Sequence, residues 1–487
     1  MCYETDSMPA SSAPKSIPAE MSRSLLQLSS HLAFLLLALL APQLDQAASY
    51  GTLVKNLPGF DGNLPFKLET GYVSLEASEL FYYFVESEGD PRKDPLLLWY
   101  SGGPGCSALN GLIYQIGPLA FDVSAYQGGV PPISYYPHSW TKSSSILFVD
   151  APVGTGFSYA TDPSAYPMSD TKSAAQTYEF LRQWLIEHPQ FLKLQLFIGA
   201  DSYSGISAPL VVKHVVNGNK AGAKPYLNLK GYIVGCPRTD AAINENSKIS
   251  FSHRIGLISD ELFEATRETC DSSYTNVEPE NWRCLENLKL VRKLIKDINK
   301  NQVLEPKCQW ADPDPGLRRS MKADNNANLF QSGASDFWCH NLNYSMSDDW
   351  ANAESVQQAL NVRQETVQEW ARCNKSLDYD EDVASVVDVH KSLSKLGLQA
   401  LIYNGDHDLT IPSCGTQEWI RKLNLSVVNE WRPWLVNGQV VGYTVKYSNR
   451  GFHLTYASVL AAGHPPQEYK RRECFDMYER WIHYYPL

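Results

Sequence analysis

The sequence predicts an α/β fold with a mostly parallel central sheet flanked by helices, and three observations carry that expectation. Short apolar runs at Leu96–Tyr100, Ile146–Val149 and Leu194–Ile198 end in glycine-rich or acidic turns at Ser101-Gly102-Gly103, Asp150 and Gly199. Runs bounded in this way suit strands buried on both faces, as in a parallel sheet. Between the second and third lies Ser169–His188, with Tyr178, Leu181 and Leu185 at helical spacing. Ser169 or Asp170 can cap its start and Pro189 ends it, which gives strand, helix, strand in order. Finally, 487 residues with 44% hydrophobic content suffice for a large core that carries an insertion.

Taken from the start, residues 1–48 read as an N-terminal extension and signal peptide. Arg23 precedes the apolar run Leu32–Ala41, and small residues Ala47, Ala48 and Ser49 follow. Ten apolar residues are too few to span a bilayer but suit a signal core. Residues 49–235 form the first part of the core. Residues 236–340 differ: they are polar, helix-leaning and cysteine-containing, and they read as a helical lid insertion with an exposed linker near 312–328. Residues 341–487 complete the core. There, Asp388–Leu396 is helical, Leu398–Tyr403 is a buried strand, and Val440–Tyr447 with His453–Val459 form a hairpin around Asn449-Arg450-Gly451. Arg472–Tyr484 closes the chain as an amphipathic helix with Phe475, Tyr478 and Ile482 on one face.

Charge and cysteine content narrow the function classes. A net charge of −11 with no basic run speaks against nucleic acid as a partner. Nine of ten cysteines lie beyond the signal in no metal-binding C-x-x-C pattern, so disulfides in an oxidising compartment are expected. Asn343, Asn374 and Asn424 head Asn-x-Ser sequons and are candidate glycan acceptors there. These features predict the secretory pathway, with a vacuolar or extracellular destination and no membrane span. No cofactor and no metal ion are expected.

The chemistry is concentrated in three places. Leu194–Gly205 reads LQLFIGADSYSG, a strand, a tight turn holding Ser202, and a helix opening at Ile206. Such a turn lifts a serine Oγ clear of the backbone and aims the next amide, that of Tyr203, at a developing oxyanion. Ala200 stands where this turn usually has glycine. Tyr403–Pro412 (YNGDHDLTIP) follows a late strand and offers two carboxylates, Asp406 and Asp408. Gly463-His464 follows the hairpin and precedes the last helix; His407, His453 and His483 compete with it less well by position. Ser, Asp, His in that chain order is the α/β-hydrolase order, so the fold class sharpens to an α/β-hydrolase fold with a helical lid. His464 would take the Ser202 proton and return it to a leaving group, while the aspartate orients the ring.

From about Leu53 to Trp481 the chain resembles the plant serine carboxypeptidase-like proteins. The matching strings are Trp99–Leu112 (WYSGGPGCSALNGL), Val149–Tyr159 (VDAPVGTGFSY), Asp201–Gly205, Gly405–Asp408, Gly463-His464 and Glu473–Trp481. The resemblance implies Ser202 as nucleophile, Asp408 in preference to Asp406 as the acid, and His464 as base. It also implies an oxyanion hole from the Gly103 and Tyr203 amides and a Cys106–Cys339 disulfide from core to insertion. A second disulfide, Cys270–Cys284, would close a short loop in the lid.

That family contains peptidases and acyltransferases. Its peptidases hold a substrate carboxylate with an asparagine before the Gly-Gly pair, a glutamate directly before the nucleophile, and a glutamate leading to a Gly-Pro. Here these positions read Ser101, Asp201 and Gln115, beside Gly102. A site built on hydrogen bonds to one substrate group discriminates strongly, so these changes weaken carboxylate selection. The expectation is an acyltransferase that moves an acyl group from a 1-O-β-glucose ester to an acceptor hydroxyl or amine. The alternative is a carboxypeptidase acting on a peptide C-terminus. Arg318-Arg319 in the linker marks a site for processing into two disulfide-linked chains. Cys236 stands in a Gly-Cys-Pro where the family usually has asparagine.

Overall fold

Three of the fully buried strands are the apolar runs read from the sequence: Leu96–Tyr100 (β4), Ser145–Val149 (β5) and Leu196–Asp201 (β6). The computed structural model describes residues 51–307 and 340–487. In chain order the other main strands are Gly51–Val54 (β1), Leu68–Leu75 (β2), Ser78–Val85 (β3), Leu229–Gly235 (β7) and Gln399–Gly405 (β8). Ser426–Val436 (β9), Gln439–Asn449 (β10) and Phe452–Val459 (β11) complete the series.

The sheet order is β1-β2-β3-β5-β4-β6-β7-β8-β11-β10-β9, with the short strand Tyr159–Ala160 paired to β3. The six central strands from β5 to β11 run parallel, and antiparallel strands extend both sides. Parallel strands need crossovers, and helices on both faces supply the burial that their unbroken apolar runs demand. The α/β-hydrolase expectation is met.

The crossover helix Asp170–Glu187 (α1) begins one residue after its cap, Ser169, whose side chain accepts from the Lys172 amide. Asp170 is thereby free for tertiary contacts. On the buried face of α1, Phe180, Leu181 and Trp184 are fully covered and join the strand residues Leu98 and Ile198 in one core cluster. Each such side chain contributes about 1.5–3 kcal/mol. Ser207–Lys220 (α2) packs on the same face, whereas Trp99, Trp140, Phe197 and Tyr478 belong to the opposite cluster.

Between β7 and β8 lie Ala241–Arg254 (α3), Asp260–Thr269 (α4) and Trp282–Ile295 (α5), capped by Asp240, Ser259 and Asn281. Their small core includes Leu409, a residue of the acid-bearing loop. Ser413–Lys422 (α6) follows that loop, and Arg471–Ile482 (α7) ends the fold. The expected hairpin is β10–β11, but its third strand β9 is not evident from the sequence. Pro433 obscures it, and the structure tolerates that proline because β9 lies at the sheet edge.

Two disulfides occur among the described residues. Cys270–Cys284 forms as anticipated. Cys106, however, pairs with Cys373 and not with Cys339. The reason is local pairing: the Ser107 amide donates to Arg372 O at 2.9 Å and the Asn374 amide to Gly105 O at 2.9 Å. This short antiparallel bridge brings the Cys106 and Cys373 Cα atoms to 3.8 Å. Cys308, Cys339 and the 312–328 linker with Arg318-Arg319 lie outside the described residues.

Candidate active site

Ser202 sits where β6 passes into a 3-10 turn ahead of α2, and its backbone adopts φ +56°, a left-handed conformation unusual for serine. Close packing enforces the turn. A Cβ on Gly205 would fall 2.6 Å from Arg238 O, and the Arg238 amide donates to Ser202 O at 2.9 Å. Ala200 is fully buried in β6, so a methyl is accommodated two residues before the serine.

Opposite Ser202 stands His464, with Oγ and Nε2 2.7 Å apart. The other ring nitrogen, Nδ1, lies 2.7 Å from Asp408 Oδ2, and Asp408 is completely buried. Its second oxygen accepts from the Ile411 amide at 2.8 Å. Asp406 instead lies beside His407, 3.7 Å from its ring, and takes no part. Burial alone would depress the His464 pKa, but the Asp408 carboxylate outweighs it and holds the ring well above its ordinary value. His453 and His483 lie in β11 and after α7, away from this group.

The segment after α5 straps both loops. The Asn301 carbonyl accepts from the His464 amide at 2.7 Å, and the Asn301 side chain accepts from Thr410 Oγ1 at 2.7 Å. Lys300 O receives the Leu409 and Thr410 amides at 2.9 and 3.0 Å. No periodicity or motif marks Asn301, so the sequence gives no sign of this role.

Backbone amides face the elbow. A Cβ at Gly102 would lie 2.7 Å from both Tyr203 N and Ser202 Cβ, which explains why only glycine fits there. The Gly102 amide itself donates to Asp201 Oδ1 at 3.0 Å, and the next residue, Gly103, adopts φ +117°. Tyr203 is fixed from its far end, since its hydroxyl donates to Asp170 Oδ1 at 2.8 Å while Arg238 covers its ring.

Beside the elbow is a buried polar network. Asp201 Oδ2 accepts from Gln467 Nε2 at 3.1 Å. Gln115 Nε2 donates to Glu468 Oε1 at 3.0 Å, and the Tyr344 hydroxyl donates to the other Glu468 oxygen. Burial first, and the nearby Glu468 charge second, push the Asp201 carboxyl up to about 6. Gln115 ends a π-helical turn, Gly111–Gln115, and the partly buried Arg471 gathers carbonyls of this turn and of the residues after it. The guanidinium donates to the Ile113, Gln115, Gly117 and Leu119 carbonyls and lies over Tyr136. The Ser101 hydroxyl is buried without a hydrogen-bond partner. Gln467, Glu468 and Arg471 escape sequence reading because nothing separates them from surface polar residues next to a helix.

Among the sequons, Asn424 is exposed, whereas Asn374 turns its amide inward to Gly154 O at 2.9 Å, and the Asn343 carbonyl accepts from the Tyr114 hydroxyl. A cavity of about 350 Å³ elsewhere, lined by Arg432, Lys446, His453 and Trp481 among others, includes none of the Ser202 group.

A serine on a strand-to-helix elbow, hydrogen-bonded in series to a histidine and a buried aspartate, defines a hydrolase-fold enzyme with a nucleophilic serine. More specifically, the chain belongs to the serine carboxypeptidase family, whose model matches residues 58–484. It is 43% identical to "Serine carboxypeptidase-like 17" of Arabidopsis thaliana over 91% of this chain and 96% of that protein. "Serine carboxypeptidase-like 16" from the same plant is also 43% identical, covering 92% and 97% of the two chains. The solved structure of Kex1(delta)p, a prohormone-processing carboxypeptidase from Saccharomyces cerevisiae, superposes with a TM-score of 0.67. It is 18% identical and covers 85% of this chain and 91% of its own, a likeness of fold.

Proposed function

We propose that the protein is an acyltransferase that moves an acyl group from a 1-O-β-glucose ester to an acceptor hydroxyl or amine. One observation carries the reading: two of the three groups at the family's carboxylate-binding positions, Asp201 and Gln115, are engaged internally. Asp201 receives Gly102 and Gln467, and Gln115 donates to Glu468. A peptide's free carboxylate would meet groups whose hydrogen bonds are already made within the fold.

In this mechanism Ser202 Oγ attacks the ester carbonyl as its proton passes to His464 Nε2. The tetrahedral oxyanion is held by the Gly103 and Tyr203 amides, a contribution of about 3–4 kcal/mol per donor. His464 protonates the departing glucose oxygen. It then removes the proton of the acceptor, whose oxygen or nitrogen attacks the acyl-Ser202 ester and restores the serine. Asp408 keeps the ring oriented through Nδ1. With the signal-like leader and the sequons in support, the proposal extends to the secretory pathway, vacuolar or extracellular, with the Arg318-Arg319 segment as its processing site.

The test is direct. Purified protein is incubated with 1-O-acylglucoses and a panel of alcohols and amines, and separately with blocked dipeptides from acid to neutral pH. Ester or amide product with negligible dipeptide cleavage supports transfer. Efficient release of C-terminal amino acids overturns it in favour of a carboxypeptidase.

A further inference from the structure

Cys236 is buried, outside any disulfide, and next to the reacting groups. It directly follows β7, held by its amide donating to Tyr403 O at 2.6 Å and by a left-handed φ of +37°. Its sulfur, one oxygen of Asp408 and one ring nitrogen of His464 all lie within 4.8 Å of one another. The other described cysteines outside disulfides, Cys414 and Cys474, have no such neighbours.

We propose that Cys236, His464 and Asp408 form an inhibitory site for a thiophilic divalent cation such as zinc or cadmium. A thiolate, an imidazole and a carboxylate are a donor set that zinc favours, with the three atoms about 3.5 Å apart on a tetrahedron. To reach it, the hydrogen-bonded His464–Asp408 pair, 2.7 Å apart, opens while the sulfur moves in from within 4.8 Å. Binding displaces the Cys236 thiol proton to solvent and occupies one ring nitrogen of neutral His464, whose single ring proton then stays on the other nitrogen. The imidazole can then no longer accept the Ser202 proton, so the nucleophile is silenced. The silencing rests on the triad role proposed for these residues, whereas the binding does not.

The experiment titrates chelator-treated wild-type protein with cadmium. Formation of the site is read from the ultraviolet cadmium–thiolate charge-transfer band, and silencing from fluorophosphonate labelling of Ser202. The expected result is one band-forming ion per chain, loss of labelling in step with the band, and recovery of both on chelation. Cys236→Ser should abolish the band and weaken the cadmium sensitivity of its remaining labelling by roughly tenfold or more. A Cys414→Ser/Cys474→Ser double variant should keep both, which tests the assignment even if Cys236→Ser misfolds. No band at saturating cadmium, a band that survives in Cys236→Ser, or a band lost in the double variant overturns the site. Because neither readout uses an acyl donor or a peptide, failure of the transferase reading leaves this test intact.

Discussion

Gln115 donates its side-chain amide to the buried carboxylate of Glu468, 353 residues away in sequence. The bond fixes the identity of residue 115. Gln115→Glu would set two carboxylates against each other in a buried site, and one would have to hold a proton. The expected effect is a loss of about 3 kcal/mol in stability at neutral pH, shrinking on acidification. Glu468→Gln in the same chain should restore the melting temperature. Peptidase behaviour should therefore be harder to install by Ser101→Asn, Gln115→Glu and Asp201→Glu than by the same three changes with Glu468→Gln. Equal melting temperatures for Gln115→Glu and wild type at pH 7 would contradict this reading.

For the nucleophile, Ser202→Ala should remove fluorophosphonate labelling while the circular dichroism and melting temperature stay close to wild type. Turnover should fall by about 10³-fold or more, leaving only what binding and the oxyanion amides supply. Labelling that persists at another serine would remove Ser202 from the mechanism.

Asp201 gives a pH signature. Its carboxyl is raised from an ordinary 3.8 to about 6, mainly by burial and then by Glu468. The folded protein thus keeps a proton that the unfolded chain has already lost between about pH 4 and pH 6. Its contribution to stability is present at low pH and disappears as pH rises through that window. Asp201→Asn carries no such titration, so its stability relative to wild type should rise by about 3 kcal/mol from pH 4 to pH 7. Urea melts at several pH values measure it, and parallel curves for the two proteins would refute the assignment.

Peptide mapping without reduction should recover Cys106 linked to Cys373 and Cys270 linked to Cys284. Replacing both Cys106 and Cys373 by serine should cost about 2–5 kcal/mol, because the bond closes a long loop in the unfolded chain. A Cys106–Cys339 peptide would contradict the observed pairing.

The sequence by itself determined the central buried strands, the crossover helix and their order. Buried strands such as β4 and β6 and the helix α1 each carry their burial pattern in consecutive residues, so periodicity and turn chemistry reveal them. The elbow at Ser202 was legible for the same reason, being a strand, turn and helix within twelve residues. The residues alone left Asp406 and Asp408 both open, and the family resemblance favoured Asp408. Only the tertiary structure set Asp408 against His464, joined Cys106 to Cys373, bound Gln115 to Glu468, and laid Asn301 across the acid and histidine loops. These partners lie tens to hundreds of residues apart, and their meeting depends on sheet register and loop packing. A single polar side chain carries no periodic trace of the neighbour it will face, because that neighbour is chosen by the fold of the whole chain and not by its own segment.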